Sequence, residues 1–227
     1  MTDSLSYTPD PQNHHCTVPG LFIVFEGGDG AGKSTQLQLL ATALRKEGHD
    51  VVTTREPGGT EIGEKLRELV LEHGNGTIDT RTEALIFAAS RAAHAEQLIR
   101  PAVQAGKIVL CDRYIDSSAA YQGAGRHLGI GNITNLSLWA TGNLLPHLTL
   151  VLDVPLDAGR HRTTVRGEAD RMESEPDDFH AAIHRTFTEL AGAHPARYAV
   201  INGEASVDTV HRAVLESVKP LLKGLGA

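Results

Sequence analysis

The hydrophobic positions fall into two kinds of segment. Short apolar runs at Leu21-Phe22-Ile23-Val24-Phe25, Val51-Val52-Thr53-Thr54, Ile108-Val109-Leu110-Cys111, Leu148-Thr149-Leu150-Val151-Leu152-Asp153 and Tyr198-Ala199-Val200-Ile201 read as strands, the less interrupted of them as strands covered on both faces. Between them lie stretches with helical spacing. Leu37, Leu40, Ala41 and Leu44 follow i, i+3, i+4, i+7 in a helix from Gln36 to Glu47 that Gly48 closes. Ile62, Leu66, Leu69 and Val70 share a face of a second helix, from about Glu61 to His73, which Gly74-Asn75-Gly76 breaks. A long helix, from about Thr80 to Ile99, is expected to stop at Pro101. A further helix lies near Ile133 to Thr141, another starts at Pro155, and Val207, Val210, Val214 and Val218 line the last. Five strands separated by helices, with right-handed crossovers, imply an α/β fold: a five-stranded parallel sheet flanked by helices.

No domain boundary interrupts residues 20–227, which read as a single domain. Residues 1–19 are polar, carry Pro9, Pro11 and Pro19, and have no basic start followed by an apolar stretch. They read as a flexible tail, not a secretory signal. His14-His15-Cys16 within it lacks a second ligand cluster and makes a poor metal site.

Composition narrows the partners. At 41% apolar but only 4% aromatic, the core must be built mainly from Leu, Val, Ile and Ala. The net charge of −7 argues against a nucleic-acid-binding surface, so positive charge should act at particular arginines. No apolar run approaches the ~18 residues of a membrane span. Two cysteines, Cys16 and Cys111, indicate no disulfide framework and suit a reducing cytoplasm.

The chemistry concentrates where strands end. Gly27-Gly28-Asp29-Gly30-Ala31-Gly32-Lys33-Ser34-Thr35 follows the first strand and opens the first helix, the context in which G-x-x-x-x-G-K-[ST] is a phosphate-binding loop. Its backbone N–H groups and the helix N-terminus attract an anion, Lys33 adds a point charge, and the Ser34 hydroxyl is placed to hold Mg²⁺. Arg55-Glu56-Pro57-Gly58-Gly59-Thr60 ends the second strand, as a ligand loop or a plain turn. Phe87 and Arg91 share a helix face, either holding a flat base or as a core aromatic with a surface arginine. Asp112-Arg113-Tyr114 ends the buried third strand. Asp112 suits Mg²⁺ and Arg113 a second phosphate, unless the two form a surface salt bridge. Residues 117–126, rich in small and polar side chains, suit the wall of a site. The charged run 160–175, with Arg160, Arg162, Arg166 and Arg171, reads either as a solvated helix end or as a mobile lid that brings an arginine to a transferring phosphoryl group. His180 and His184 are taken as surface histidines, since no H-E-x-x-H pattern surrounds them.

Three classes of phosphate-loop protein compete. A GTPase switch needs a guanine-reading Asn-Lys-x-Asp, and none occurs. A motor ATPase needs a water-activating carboxylate after the fourth strand, a role only Asp153 could take. A small-molecule kinase needs two facing anion sites and an arginine lid, and the chain offers both. The phosphate loop, Arg55-Glu56-Pro57-Gly58-Gly59-Thr60, Phe87 with Arg91, Asp112-Arg113-Tyr114 and Tyr121-Gln122-Gly123 together resemble the thymidylate kinase family, from about Leu21 to the C-terminus. The resemblance implies that ATP and Mg²⁺ convert dTMP to dTDP, toward dTTP for DNA replication. It implies that Phe87 stacks on thymine, Arg91 reaches the base edge, and Ser118 and Gln122 line the base pocket. It also implies that Arg113 holds the dTMP phosphate with Arg55 nearby, that Asp29 faces the sugar 3′-hydroxyl, and that Tyr121 crowds the 2′ position. Family members carry the catalytic arginine in the phosphate loop or in the lid. Gly30 at the loop position implies the lid version, with Arg166 and Arg171 as candidates. The family is usually homodimeric.

Overall fold

The computed structural model describes residues 19–155, 157–159 and 170–225. The apolar runs form strands β1 (Leu21–Glu26), β2 (Val51–Arg55), β3 (Ile108–Asp112), β4 (Leu148–Asp153) and β5 (Tyr198–Asn202). They make one parallel sheet in the order β2-β3-β1-β4-β5. Leu21 pairs with Ile108 on one side of β1 and Ile23 with Leu148 on the other, so β1 is central and all six of its residues are buried. Leu21, Ile23 and Phe25 point toward α1 (Lys33–Lys46) and α8 (Val207–Leu222), meeting Leu40, Leu44, Val210 and Val214. Phe22 and Val24 point the other way, toward Ile99, Val103, Tyr114 and Leu138. Cover on both faces is why this strand reads as a continuous apolar run and not as an alternation.

The helices depart from expectation in two places. α2 (Glu61–Leu71) starts at Thr60, whose hydroxyl accepts the Gly63 N–H. α3 (Thr80–His94) is capped by Asp79, but it does not stop before Pro101. It widens into a π segment, Ala95–Ile99, and continues as α4 (Arg100–Gln104), with Pro101 in the first turn of that last piece. There the missing proline N–H leaves no gap in the bonding. α5 (Ile115–Ser118) likewise runs into a second π segment, Ala119–Gly125, followed by α6 (Ile130–Ala140).

The second correction concerns α7 (Asp177–Ala193). Its Phe179, Ile183 and Phe187 pack with Tyr121, and His180 lies buried beside Phe179, ring centres 5.5 Å apart. His180 is therefore not a surface histidine. His184 is half-exposed and bonds the Asp153 carboxylate at 2.8 Å. Cys111 is a buried free thiol, raised well above its usual range by burial. Because all strands are parallel, the loops after β1, β2 and β3 open on one edge. β1 is where the chain turns first to one side and later to the other, the crevice in which open α/β sheets bind ligands.

Candidate active site

The phosphate loop follows β1 directly. Gly27 and Gly30 have φ of 132° and 74°, and a Cβ on Gly30 would lie 2.1 Å from the Gly159 carbonyl oxygen. No side chain fits there unless the backbone of the loop or of Gly159 shifts. Lys33 folds back so that its Nζ donates to the Gly27 and Gly28 carbonyls at 3.1 and 2.8 Å. Burial, then the charge of Arg113, lowers Lys33 to about 8, against the pull of Asp112, Asp29 and Glu26. The Ser34 hydroxyl donates to Asp112 Oδ2 at 2.6 Å. Among the described residues no group of three His, Cys, Asp or Glu gathers for a metal. The Ser34–Asp112 oxygens instead fit Mg²⁺, which uses few protein ligands and completes its shell with water and phosphate oxygens.

Arg113 bridges the two ends of the site. It sits at φ 70°, its N–H bonded to the Phe25 carbonyl at 2.9 Å. Nη1 donates to the Gly27 carbonyl (3.1 Å) and Ser117 Oγ (3.0 Å), and Nη2 pairs with Asp29. Its guanidinium lies 5.0 Å from the Tyr121 ring centre, and the Tyr121 hydroxyl donates to Asp29 Oδ2 at 2.8 Å. Burial works to raise Asp29, but Arg113 foremost, then Lys33 and Tyr121, outweigh it and hold the carboxyl at about 2.

Beyond Arg113 lies a network of buried polar groups. Arg91 is 2% exposed, so it is not a surface arginine. Its Nε donates to Glu56 Oε2 (2.7 Å), Nη1 to Ser137 Oγ (3.0 Å), and Nη2 to the Tyr114 carbonyl (3.2 Å) and Ser118 Oγ (3.0 Å). These bonds engage four of its five N–H groups. Glu56 also binds His94 at 3.0 Å, and His94 reaches Thr54 at 2.7 Å. The Glu56–Thr60 loop is a built structure and not a plain turn: Gly58 N–H bonds Ser90 Oγ at 3.1 Å and Gly59 N–H bonds Glu64 at 2.8 Å. Arg55, half-exposed, pairs with the other Glu64 oxygen at 2.8 Å. Gln122 is buried and donates to Glu83 at 3.0 Å.

One cavity is lined at one end by Lys33 and Ser34 and at the other by Phe87, Arg91, Arg113 and Gln122. Asp29, Gly30, Arg55, Asp112, Ser118 and Tyr121 also face it. Of the two lid candidates, Arg166 lies outside the described residues. Arg171 is not in the cavity wall. Its Nε donates to the Val70 carbonyl at 2.8 Å, and Nη2 stands 2.6 Å from Glu83 Oε2, close enough to pair but not aligned as a hydrogen bond.

Sequence reasoning missed three groups. Arg67 lines the cavity and donates to the Pro57 carbonyl at 2.8 Å; its place one turn after buried Gly63 was the available signal. Glu26 ends β1 fully buried, accepting the Tyr114 and Ser117 N–H groups (2.8 and 3.1 Å) and the Ser117 hydroxyl (2.6 Å). Burial first, then Asp116, pushes it up to about 7. An acid closing an apolar strand was its signal. Glu83, the third, carries no local signal, because its partners come from residues far along the chain.

A loop for a triphosphate opening onto arginines and an aromatic, at the crevice of a parallel sheet of this order, defines the class as phosphate-loop nucleotide kinases. The family model described as Thymidylate kinase matches residues 25–214. The chain is 50% identical over 206 residues to a thymidylate kinase of Clavibacter michiganensis subsp. michiganensis, covering 90% of this chain and 97% of that protein. It is 45% identical over 203 residues to that of Cutibacterium acnes, covering 89% and 98%. A solved thymidylate kinase from Ehrlichia chaffeensis superposes with a TM-score of 0.72 at 33% identity, covering 88% of this chain and 98% of that one. The chain belongs to the thymidylate kinase family.

Proposed function

We propose that the chain transfers the γ-phosphoryl group of ATP to dTMP, giving dTDP and ADP, a step toward dTTP for DNA replication. The observation that carries this reading is a cavity shared by the phosphate loop and the Phe87–Arg91–Arg113 end. The acceptor is already an anion near neutral pH, so no general base is required. What the reaction needs is neutralisation of two repelling polyanions and in-line alignment.

In this reading residues 27–35 cradle ATP, with Lys33 at its outer phosphates. Mg²⁺, held by Ser34 and Asp112, would neutralise charge on the transferring phosphates. Arg113, with Arg55 beside it, takes the dTMP phosphate; to do so its guanidinium exchanges its present contacts for the ligand. Asp29 and Tyr121 then face the sugar. Phe87 stacks on the base, and the one N–H that Arg91 has left, with Ser118 and Gln122, meets the base edge. Arg171 is engaged with Val70 and Glu83, so we assign the contact with the transferring group to Arg166 and give Arg171 the task of anchoring the end of the lid.

We also propose a homodimer. Leu85 on α3 and Trp139 on α6 are 57% and 82% exposed, and Ile62 and Leu69 on α2 are about half exposed. α3 packs against both α2 and α6, and exposed apolar side chains on neighbouring helices are commonly covered by a second copy. A cytoplasmic setting suits the chain, and no described helix is long and apolar enough to cross a membrane. Residues 1–18, including His14-His15-Cys16, lie outside the described structure. A chain lacking them is expected to keep full activity.

The test is ADP release with ATP and Mg²⁺ across dTMP, dUMP, dCMP, AMP and GMP. dTMP should be the preferred acceptor. Preference for any other sinks the base-site assignment, and tight ATP binding without ADP release from any acceptor sinks the kinase reading.

A further inference from the structure

We propose that Glu83 sets the base preference of the cavity by fixing which edge of the Gln122 amide faces the nucleotide. This rests on the reading that the base lies between Phe87 and Gln122. Glu83 sits on α3 one turn before Phe87 and two before Arg91, on the same helix face. It is 1% exposed, and three side chains converge on it. Oε1 accepts from Gln122 Nε2 at 3.0 Å and Arg126 Nε at 3.2 Å; Oε2 accepts from Arg126 Nη2 at 3.1 Å and faces Arg171 Nη2 at 2.6 Å.

A carboxylate offers acceptors only, so the Gln122 edge turned toward it must be the NH₂. The planar amide then directs Oε1 elsewhere. That oxygen has no hydrogen-bond partner among the described residues, it is not among the enclosed unpartnered atoms, and Gln122 lines the cavity. The cavity therefore meets an acceptor at this point. Thymine and uracil carry a donor at N3 and match it. Cytosine carries a lone pair at N3 and would set acceptor against acceptor. The opposite amide orientation would suit cytosine, but it would press Gln122 Oε1 against the Glu83 oxygens. Arg126, which shares Oε1 with Gln122, and Arg171 hold the carboxylate in place, and Arg126 is itself tied to Glu175 at 2.6 Å. Glu83 is thus a positioning residue, acting on the base through Gln122.

The test compares kcat/KM for dTMP, dUMP and dCMP in the wild type and in Glu83→Gln. A glutamine at this position can present either its oxygen or its NH₂, so Gln122 is free to turn over. The dTMP-over-dCMP preference should fall roughly 10- to 100-fold, the scale on which a mismatched buried hydrogen bond discriminates. dUMP should follow dTMP, and the KM for ATP should stay constant. In Arg126→Lys the carboxylate still faces Gln122, so the preference should hold within about twofold even as the melting temperature drops. An unchanged preference in Glu83→Gln, or an equal loss for all three substrates, overturns the proposal. Should Glu83→Gln not fold, Glu83→Asp keeps a charge partner for the arginines while withdrawing the carboxylate from the amide. The preference should fall there too, and its retention overturns the proposal. A wild-type protein that phosphorylates dTMP and dCMP equally well would instead show that the base-site reading beneath the proposal is wrong.

Discussion

The two ends of the cavity are built by different means. The phosphate-loop end is nine consecutive residues, Gly27 to Thr35, whose main tool is backbone. Its N–H groups need only the right φ and ψ to point the right way, and glycines supply them. The other end draws side chains from the end of β2, from α3, from the turn after β3 and from the second π segment. A long side chain has no such built-in direction, so each is aimed by a further polar group. Glu56 and Ser118 hold Arg91, Glu83 holds Gln122, and Asp29 and Ser117 hold Arg113. Damage to the first end should be local, whereas damage to the second should spread into stability.

The largest expected effect is at the arginine proposed to meet the transferring group. Arg166→Ala should lower kcat about 10³-fold or more in steady-state assays, with little change in dTMP binding. Normal turnover would place the transferring-group contact elsewhere. Next, Arg91→Met should lose about 3–5 kcal/mol in urea unfolding, because buried Glu56 loses its guanidinium and keeps only His94 as a side-chain partner. A loss confined to dTMP affinity would mean that this end is no more interdependent than the phosphate loop.

Glu26 gives a pH signature of the same network. Its folded-state value of about 7 lies above the unfolded 4.5. The native state therefore holds the proton more tightly. That contribution, about 3 kcal/mol, is fully present below pH 4.5 and is lost as pH rises through 7. Melting of Glu26→Gln across pH 4.5–7.5 should show a flatter profile than the wild type, and parallel profiles would refute the shift.

Smaller effects follow at the backbone end. Gly30→Ala places a Cβ against the Gly159 oxygen at positive φ. The contact is with backbone, so the loop itself must shift, and the KM for ATP should rise about tenfold or more while that for dTMP stays unchanged. Smallest of all, Arg171→Ala should cost about 1 kcal/mol of stability and change kcat by less than about threefold. A large fall in kcat would return Arg171 to the chemistry.

The order of β and α segments and the phosphate loop were legible in the chain because both are local. An apolar run of four to six residues, too short for a buried helix and flanked by turn residues, reads as a covered strand, and a glycine-rich turn between strand and helix makes its anion site from its own backbone. Asp112 and Arg113 were legible as a strand end, since a parallel sheet brings strand ends to one edge. The helix through Pro101 was not, because a π segment upstream moved the proline into a first turn where its missing N–H does no harm. Nor was the burial of His180, which depends on α7 lying against Tyr121 and the second π segment.

What the sequence by itself determined, then, was the α/β scaffold and the glycine-rich loop between β1 and α1. Tertiary structure alone decided the partners of the other end of the cavity. Glu83 meets Gln122 across 39 positions, Glu56 meets Arg91 across 35, and Asp29 meets Arg113 across 84. Such pairs leave no periodicity or spacing to read. They exist because folding removes these polar groups from water, and each buried charge or amide must then find its partner inside the protein.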